Sequence, residues 1–228
     1  MTMPFYVAPE QVMKDRSDYA RKGIARGKPV VILEYADGIL FIADNPSTHL
    51  YKISEIYDRI AFAAVGKYSE FENLRIAGVR LADLRGYSYG REDVTAKSIA
   101  NAYSQGLAEI FTQQMKPYEV ELLVGQVGER PEENELFHIL YDGSVTDEDG
   151  VVAMGGQSQT LGDRLQEGYS SGMVLGDAVR LGVTSLTSEN GQEQVEPGRL
   201  EIAVLERTRP RRKFRRLSDP EVADLLGT

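Results

Sequence analysis

Apolar positions fall into two kinds of run along this chain: short continuous stretches rich in β-branched residues, and longer ones in which they recur every three or four positions. Over residues 9–26, Val12, Met13, Tyr19, Ala20, Gly23 and Ile24 form a stripe of helical spacing, with Asp15, Arg16, Asp18, Arg21 and Lys22 on the wet face. Pro9 suits the first turn, Glu10 the positive end of the helix dipole, and Gly27 the stop. Apolar runs at 30–33 and 39–43 then flank Asp37-Gly38, which predicts a hairpin, because glycine accepts the backbone a tight turn demands. A polar connection leads from Asp44 to Lys52-Ile53, and IAFAAV at 60–65 predicts a buried third strand closed by Gly66.

Helical spacing returns at Phe71, Leu74, Ala77, Leu81 and Leu84, ending at Gly86. A second helix is predicted over 92–114, with Ile99, Tyr103, Leu107 and Phe111 in its core stripe and Pro117 just beyond. Strands are predicted at 119–127, 136–141 and 151–154, with turns at Asp142-Gly143 and at 148–150. Helices at 158–167 and 172–186, a polar loop over 187–199 and a last strand at 200–205 follow. Ser218 with Glu221 three positions later, and Pro220 in the first turn, is a capping-box pattern. It predicts a helix over 219–226 packed by Val222, Leu225 and Leu226. Blocks of strands alternating with pairs of helices predict a layered α+β domain with sheet on sheet, and residues 1–228 read as one domain.

Composition narrows the chemistry. The absence of cysteine removes disulfides, thiolate catalysis and thiolate metal sites, and the cytoplasm is the expected compartment. No apolar run is long enough to predict a membrane span, and MTMPFYVAPEQ lacks the basic flank and apolar centre of a signal peptide. A net charge of −9 argues against nucleic acid as a general partner. Residues 207–216, RTRPRRKFRR, depart from that average with seven basic residues. They read either as a contact for an acidic partner or nucleic acid, or as a solvated linker that balances acidic surface.

Strand, Asp-Gly turn, strand, acid and lysine can frame a hydrolase site, but Lys28-Pro29 stands where a nucleophile would head the first strand. Thr2 would become N-terminal on removal of Met1, yet a whole helix separates it from that strand. His49 and His138 are the only histidines and neither lies in a G-x-S-x-G context; H-E-x-x-H and P-loop spacings are absent too. No metal or cofactor is expected.

Five stretches, in order, carry a resemblance. SDYARKGIARG at 17–27 resembles an E-Y-A-R…G signature at the end of an N-terminal helix, and ADGILFIADN at 36–45 a D/K-G-V-V-L…D hairpin. YKISEIYDRIAFAAVG at 51–66 resembles E-K-I…I-D-D…A-x-x-G, KPYEVELLVG at 116–125 resembles R-P-Y/F-G-V, and AMGGQS at 153–158 stands for A-x-G-x-G. Together they resemble the proteasome α-type subunits, most closely the actinobacterial branch. The resemblance implies the N-terminal nucleophile fold, a four-layer αββα sandwich with an extra N-terminal helix.

It also implies a role. Catalytic β-type relatives begin with threonine at the position of Lys28, so Asp44 and Lys52, which match their acid and lysine, would have no nucleophile to serve. The expectation is a non-catalytic subunit: a homo-heptamer forming the outer ring of a 20S core, stacked on proteolytic β subunits. Thr2, Met3, Pro4, Phe5, Tyr6, Val7 and Ala8 would gate the entry of unfolded proteins. Lys52 would receive the C-terminal carboxylate of a hexameric ATPase activator, although Tyr51-Lys52 replaces the commoner Glu-Lys. The first residues also differ from the Y-D-R…S-P-x-G gate of archaeal and eukaryotic relatives. An active N-terminal-nucleophile hydrolase and an interaction protein acting through the basic tail are the alternatives.

Overall fold

The structure, a computed structural model, describes residues 8–187 and 197–227. Helix α1 (Pro9–Ala25) is followed by β1 (Val30–Tyr35), β2 (Gly38–Asp44), β3 (Ile53–Tyr57), β4 (Ile60–Gly66), α2 (Tyr68–Ser88) and α3 (Ala96–Gln113). Then come β5 (Val120–Gln126), β6 (Glu135–Ile139), β7 (Val145–Glu148), β8 (Val151–Met154), α4 (Ser158–Gly168), α5 (Leu175–Thr187), β9 (Leu200–Glu206), β10 (Phe214–Arg216) and α6 (Asp219–Leu226). No helix among the described residues is long and apolar enough to cross a membrane.

Two antiparallel five-stranded sheets, β10-β9-β2-β1-β8 and β3-β4-β5-β6-β7, stack face to face. Between them lies a core of Ile32, Phe41, Ala63, Leu123 and Ala203, among others. A second core, with Phe62, Ile99, Leu107 and Leu122, sits between the β4–β5 sheet and α2 and α3. A third, with Leu33, Ile42, Val179 and Val204, sits under α4, α5 and α6. The layers are therefore helix, sheet, sheet, helix. Strands covered on both faces lose the polar alternation of a half-wet strand, which is why 30–33, 39–43 and 60–65 read as unbroken apolar runs.

The first hairpin forms as expected, with Tyr35 opposite Gly38, so that Ala36 and Asp37 make the turn and Gly38 opens β2; α6 has the expected capping box, with Ser218 N donating to Glu221 Oε2 at 2.8 Å. Helix α1 inserts Ala20 and Ile24 into the inter-sheet core at one end of the sandwich. Gly66 closes β4 there. Its φ of +106° lies in the left-handed region, and a Cβ on it would come within 1.9 Å of Glu119 O. Gly66→Ala is expected to destabilise the fold by about 3 kcal/mol or more, read as a lowered thermal midpoint.

Several elements differ from the sequence reading. The strand at 60–65 is the fourth: β3 precedes it, and a register shift between Glu55 and Tyr57 breaks the alternation that would have marked it. Helix α2 runs past Gly86 to Ser88, because Gly86 makes room for Tyr57 (a Cβ would lie 2.2 Å from its hydroxyl) rather than ending the helix. Phe71 is buried and Leu74 and Leu81 pack against the same core as expected, joined by buried Gly78 and Ala82, whereas Ala77 and Leu84 are exposed. Helix α3 starts at Ala96, where Thr95 Oγ1 accepts from Ser98 N at 3.2 Å, so Glu92 and Asp93 fall in a preceding short 3-10 turn. Helix α5 starts at Leu175, since Gly172 at φ +77° is outside the helical range. Strand β7, with mostly exposed residues, had no apolar signal.

The basic run is neither linker nor free cationic patch. It contains β10, paired with β9 at Phe214–Leu205 and Arg216–Ala203. Arg207 donates to Ala36 O (2.7 Å), Gly128 O (3.0 Å) and Asn134 Oδ1 (3.0 Å), and so ties the two sheets together. Arg212 pairs with Glu55, Arg215 with Glu206 and Glu221, and Arg216 with Glu201. The expected loop at 187–199 lies largely outside the described residues, as do the gate residues Thr2, Met3, Pro4, Phe5, Tyr6 and Val7. Ala8 is exposed, and its carbonyl accepts from Gln11 N at 2.9 Å to start α1.

Candidate functional site

The site lies where α1 ends and β1 begins. Lys28 heads β1, Asp44 ends the neighbouring β2, and Lys52 immediately precedes β3. The connection from β2 is closed by buried Asn45, whose Nδ2 donates to Leu50 O at 2.8 Å and whose Oδ1 accepts from Ser47 N at 3.1 Å. The chain therefore turns back, and three residues distant in sequence meet. The Lys52 ammonium donates to Lys28 O at 2.7 Å and to Asp44 O at 3.1 Å. The Asp44 carboxylate itself is taken by Arg199 at 3.0 Å and Lys28 at 3.4 Å. This makes it a paired structural carboxylate.

Burial pushes the Lys52 ammonium down to about 8, opposed by the charges of Asp44 and Glu201 and assisted by that of Lys28. Lysine near that value holds its proton at neutral pH but only narrowly. Next to Lys52 in sequence, Tyr51 lines a cavity of about 200 Å³ together with Asn45, Glu201 and Arg216, among others; Lys52 itself is turned to the Lys28 and Asp44 carbonyls. At neutral pH the arrangement can present a partly desolvated cation to an incoming carboxylate. It can also accept a proton, but the side chain at the head of β1 is a lysine without hydroxyl.

The two histidines lie apart from this centre. His49 Nδ1 is 2.8 Å from Thr48 Oγ1 on the β2–β3 connection. His138 is held between Glu121 (2.7 Å) and Glu148 (3.4 Å), and the other oxygen of Glu121 accepts from Gly155 N at 3.1 Å. Burial works against charge on His138, but the hydrogen bond to Glu121 and the charges of Glu121 and Glu148 outweigh it and raise the imidazolium above its ordinary range. A raised value in the folded state means stability that is full below the ordinary histidine pKa and lost as pH rises through the raised one. His138→Gln is expected to remove that contribution, lowering the thermal midpoint at acidic pH by roughly 2–4 °C and leaving it little changed at alkaline pH.

Sequence reading found Lys28, Asp44 and Lys52 but missed Asn45, Arg199, Glu201 and Arg216. Glu201 carried a signal, as a single acid inside the otherwise apolar LEIAVL strand, which calls for a buried partner. Arg216 was hidden in the basic run.

The proteasome family, described as proteasome subunit, matches residues 24–205. The chain belongs to the proteasome subunit family. Its α+β sandwich is that of the N-terminal nucleophile hydrolase type. Curated relatives are similar over nearly their whole length. A proteasome subunit alpha of Kineococcus radiotolerans is 58% identical over 100% of this chain and 99% of its own. One of Xylanimonas cellulosilytica is 59% identical over 95% and 93%, and one of Thermomonospora curvata 58% over 100% and 99%. Within the family match fall Lys28, Asp44, Lys52 and Glu201; Arg216 lies beyond it.

Proposed function

We propose that this chain is a non-catalytic α-type subunit of a 20S proteasome core, forming the outer heptameric ring that gates the proteolytic β chamber. The observation that carries the reading is its 58% identity, over its whole length, with chains described as proteasome subunit alpha. The lysine at the head of β1 supports the non-catalytic part, since it offers neither a hydroxyl nor a free N-terminal amine. The site is cytoplasmic work on unfolded proteins in transit, with no cofactor required of this subunit.

Two exposed apolar regions suit burial in such an assembly. Leu84 (63% exposed), Tyr87 (93%) and Tyr89 (81%) crowd the end of α2, and they would meet the β ring. An open groove of about 650 Å³ between α1 and the α3–β5 connection, with Val12, Tyr19, Met115 and Pro117, would meet a neighbouring α subunit. In the same assembly Thr2, Met3, Pro4, Phe5, Tyr6, Val7 and Ala8 converge on the ring axis as the gate. Lys52 receives the C-terminal carboxylate of an ATPase activator as a charge-assisted hydrogen bond.

Removal of residues 2–8 tests the gate. Particles reassembled with a β-type partner are expected to degrade an unfolded protein several-fold faster without activator, at unchanged particle mass. An unchanged basal rate would contradict the gating role.

A further inference from the structure

Glu201 is 5% exposed in its side chain, and both its oxygens are fully engaged. Oε2 accepts from Asn45 Nδ2 at 2.7 Å and Lys52 N at 2.9 Å, and Oε1 accepts from Ile53 N at 3.0 Å and an Arg216 NH1 group at 2.6 Å. Arg216 also donates to Ile53 O at 2.7 Å, and its guanidinium lies 4.0 Å from the centre of the Tyr51 ring. One carboxylate thus holds the two peptide groups at Lys52 and Ile53. One arginine, brought in by β10, holds the carboxylate, the Ile53 carbonyl and the Tyr51 ring.

We propose that Glu201 and Arg216 are positioning residues of the docking site, Glu201 aiming the Lys52 segment and Arg216 fixing Glu201 and the aromatic rim of the cavity. This rests on the docking reading of Lys52. A buried carboxylate paired with a half-exposed arginine is a poor choice for stability alone, because burying the charge costs desolvation and an apolar replacement of similar volume often stabilises as well or better. What the pair adds is direction: its bonds go to the backbone on either side of the docking ammonium. The tail of the chain, outside the family match, thereby completes the site.

The electrostatics give a signature that a purely structural role would not. Glu201 is close enough to favour the charged Lys52, so Glu201→Gln removes an attraction and makes the ammonium easier to deprotonate. Loosening of the pocket would do the opposite and return Lys52 toward the ordinary lysine range. Two measurements on the full chain read this out. The first is the pH midpoint of Lys52 acetylation, followed by mass spectrometry. The second is the concentration of a short peptide with a free C-terminal carboxylate that half-maximally stimulates the reassembled particle, with the peptide amide as control.

Glu201→Gln is expected to lower the midpoint by about half a pH unit and to raise the half-maximal concentration about tenfold at an unchanged maximal rate. Glu201→Asp should recover part of both. Arg216→Gln, which keeps the test open where Glu201→Gln fails to fold, should raise the half-maximal concentration at an unchanged maximal rate, and Arg216→Lys should recover part of it. An unchanged or raised midpoint in Glu201→Gln, or an unchanged half-maximal concentration in either Gln variant, would overturn the proposal. Where Lys52→Ala leaves stimulation intact, the docking reading itself falls. Where Lys52→Ala abolishes stimulation but both Gln variants behave as wild type, only the positioning role falls.

Discussion

Lys52→Ala is expected to leave the particle assembled and to reduce activator-driven degradation by about thirtyfold or more at subsaturating activator. Truncating one partner of a desolvated charge pair costs roughly 2–5 kcal/mol, and about 1.4 kcal/mol is tenfold in affinity. Among the described residues the Lys52 ammonium donates to two backbone carbonyls, those of Lys28 and Asp44, at a half-buried position, so the fold is expected to survive its loss. Lys52→Arg keeps the charge but places a planar fork where a compact ammonium sits, so an intermediate loss is expected.

The same contact should respond to pH. Lys52 loses its proton as pH rises through about 8, whereas a C-terminal carboxylate stays ionised throughout that range. Docking is therefore expected to weaken with rising pH, approaching tenfold per unit above that value, and to be insensitive between about pH 6 and 7. Lys52→Arg should flatten the profile. A wild-type profile that stays flat through alkaline pH would contradict the role assigned to this ammonium.

The second large effect lies in the core. Phe41→Ala is expected to lower stability by about 3–5 kcal/mol and the thermal midpoint by roughly 10 °C. Phe41 is fully buried between the two sheets, and its ring fills the space that Gly125 leaves: a Cβ there would be 3.1 Å from the ring tip. The backbone ladders on either side limit how far the two sheets can close over the gap. Phe41→Leu, which keeps most of the volume, should lose far less. A midpoint for Phe41→Ala within about 2 °C of wild type would show that the sheets can close over the cavity.

Elements whose signal is local were legible from sequence. The β1–β2 hairpin is specified by Asp37-Gly38 between apolar runs, and α6 by Ser218 and Glu221, whose reciprocal bonds need only neighbouring residues. Elements defined by what they pair with were not. Strands β3, β7 and β10 are short edge or near-edge pieces, bulged, exposed or basic, and exist because a neighbouring strand offers a ladder. The packed face of α2 was legible only in part, for a related reason. Gly78 is buried against Tyr103 and half-buried Gly86 lies against Tyr57, so small residues mark the packed side along with Phe71, Leu74 and Leu81.

The site divides along the same line. Lys28, Asp44 and Lys52 could be brought together on paper by counting along one hairpin and by resemblance. Glu201 and Arg216 reach the same place from 149 residues away and farther, through strand pairing that no local pattern encodes. The basic run shows how composition alone misleads. Six of its residues each have defined hydrogen-bonding or ion-pair partners, and Arg207 alone joins three separate segments.

Assembly with a β-type partner is the property that decides between an α-type subunit and a free-standing hydrolase. Native mass spectrometry and peptidase activity should be measured together on this chain alone and after mixing with a β-type partner. The expected result is no peptide hydrolysis by the chain alone, and after mixing a particle built on heptamers of this chain whose peptidase activity appears with it. Hydrolysis by the chain alone, or a monomer that never joins a particle, would contradict the account.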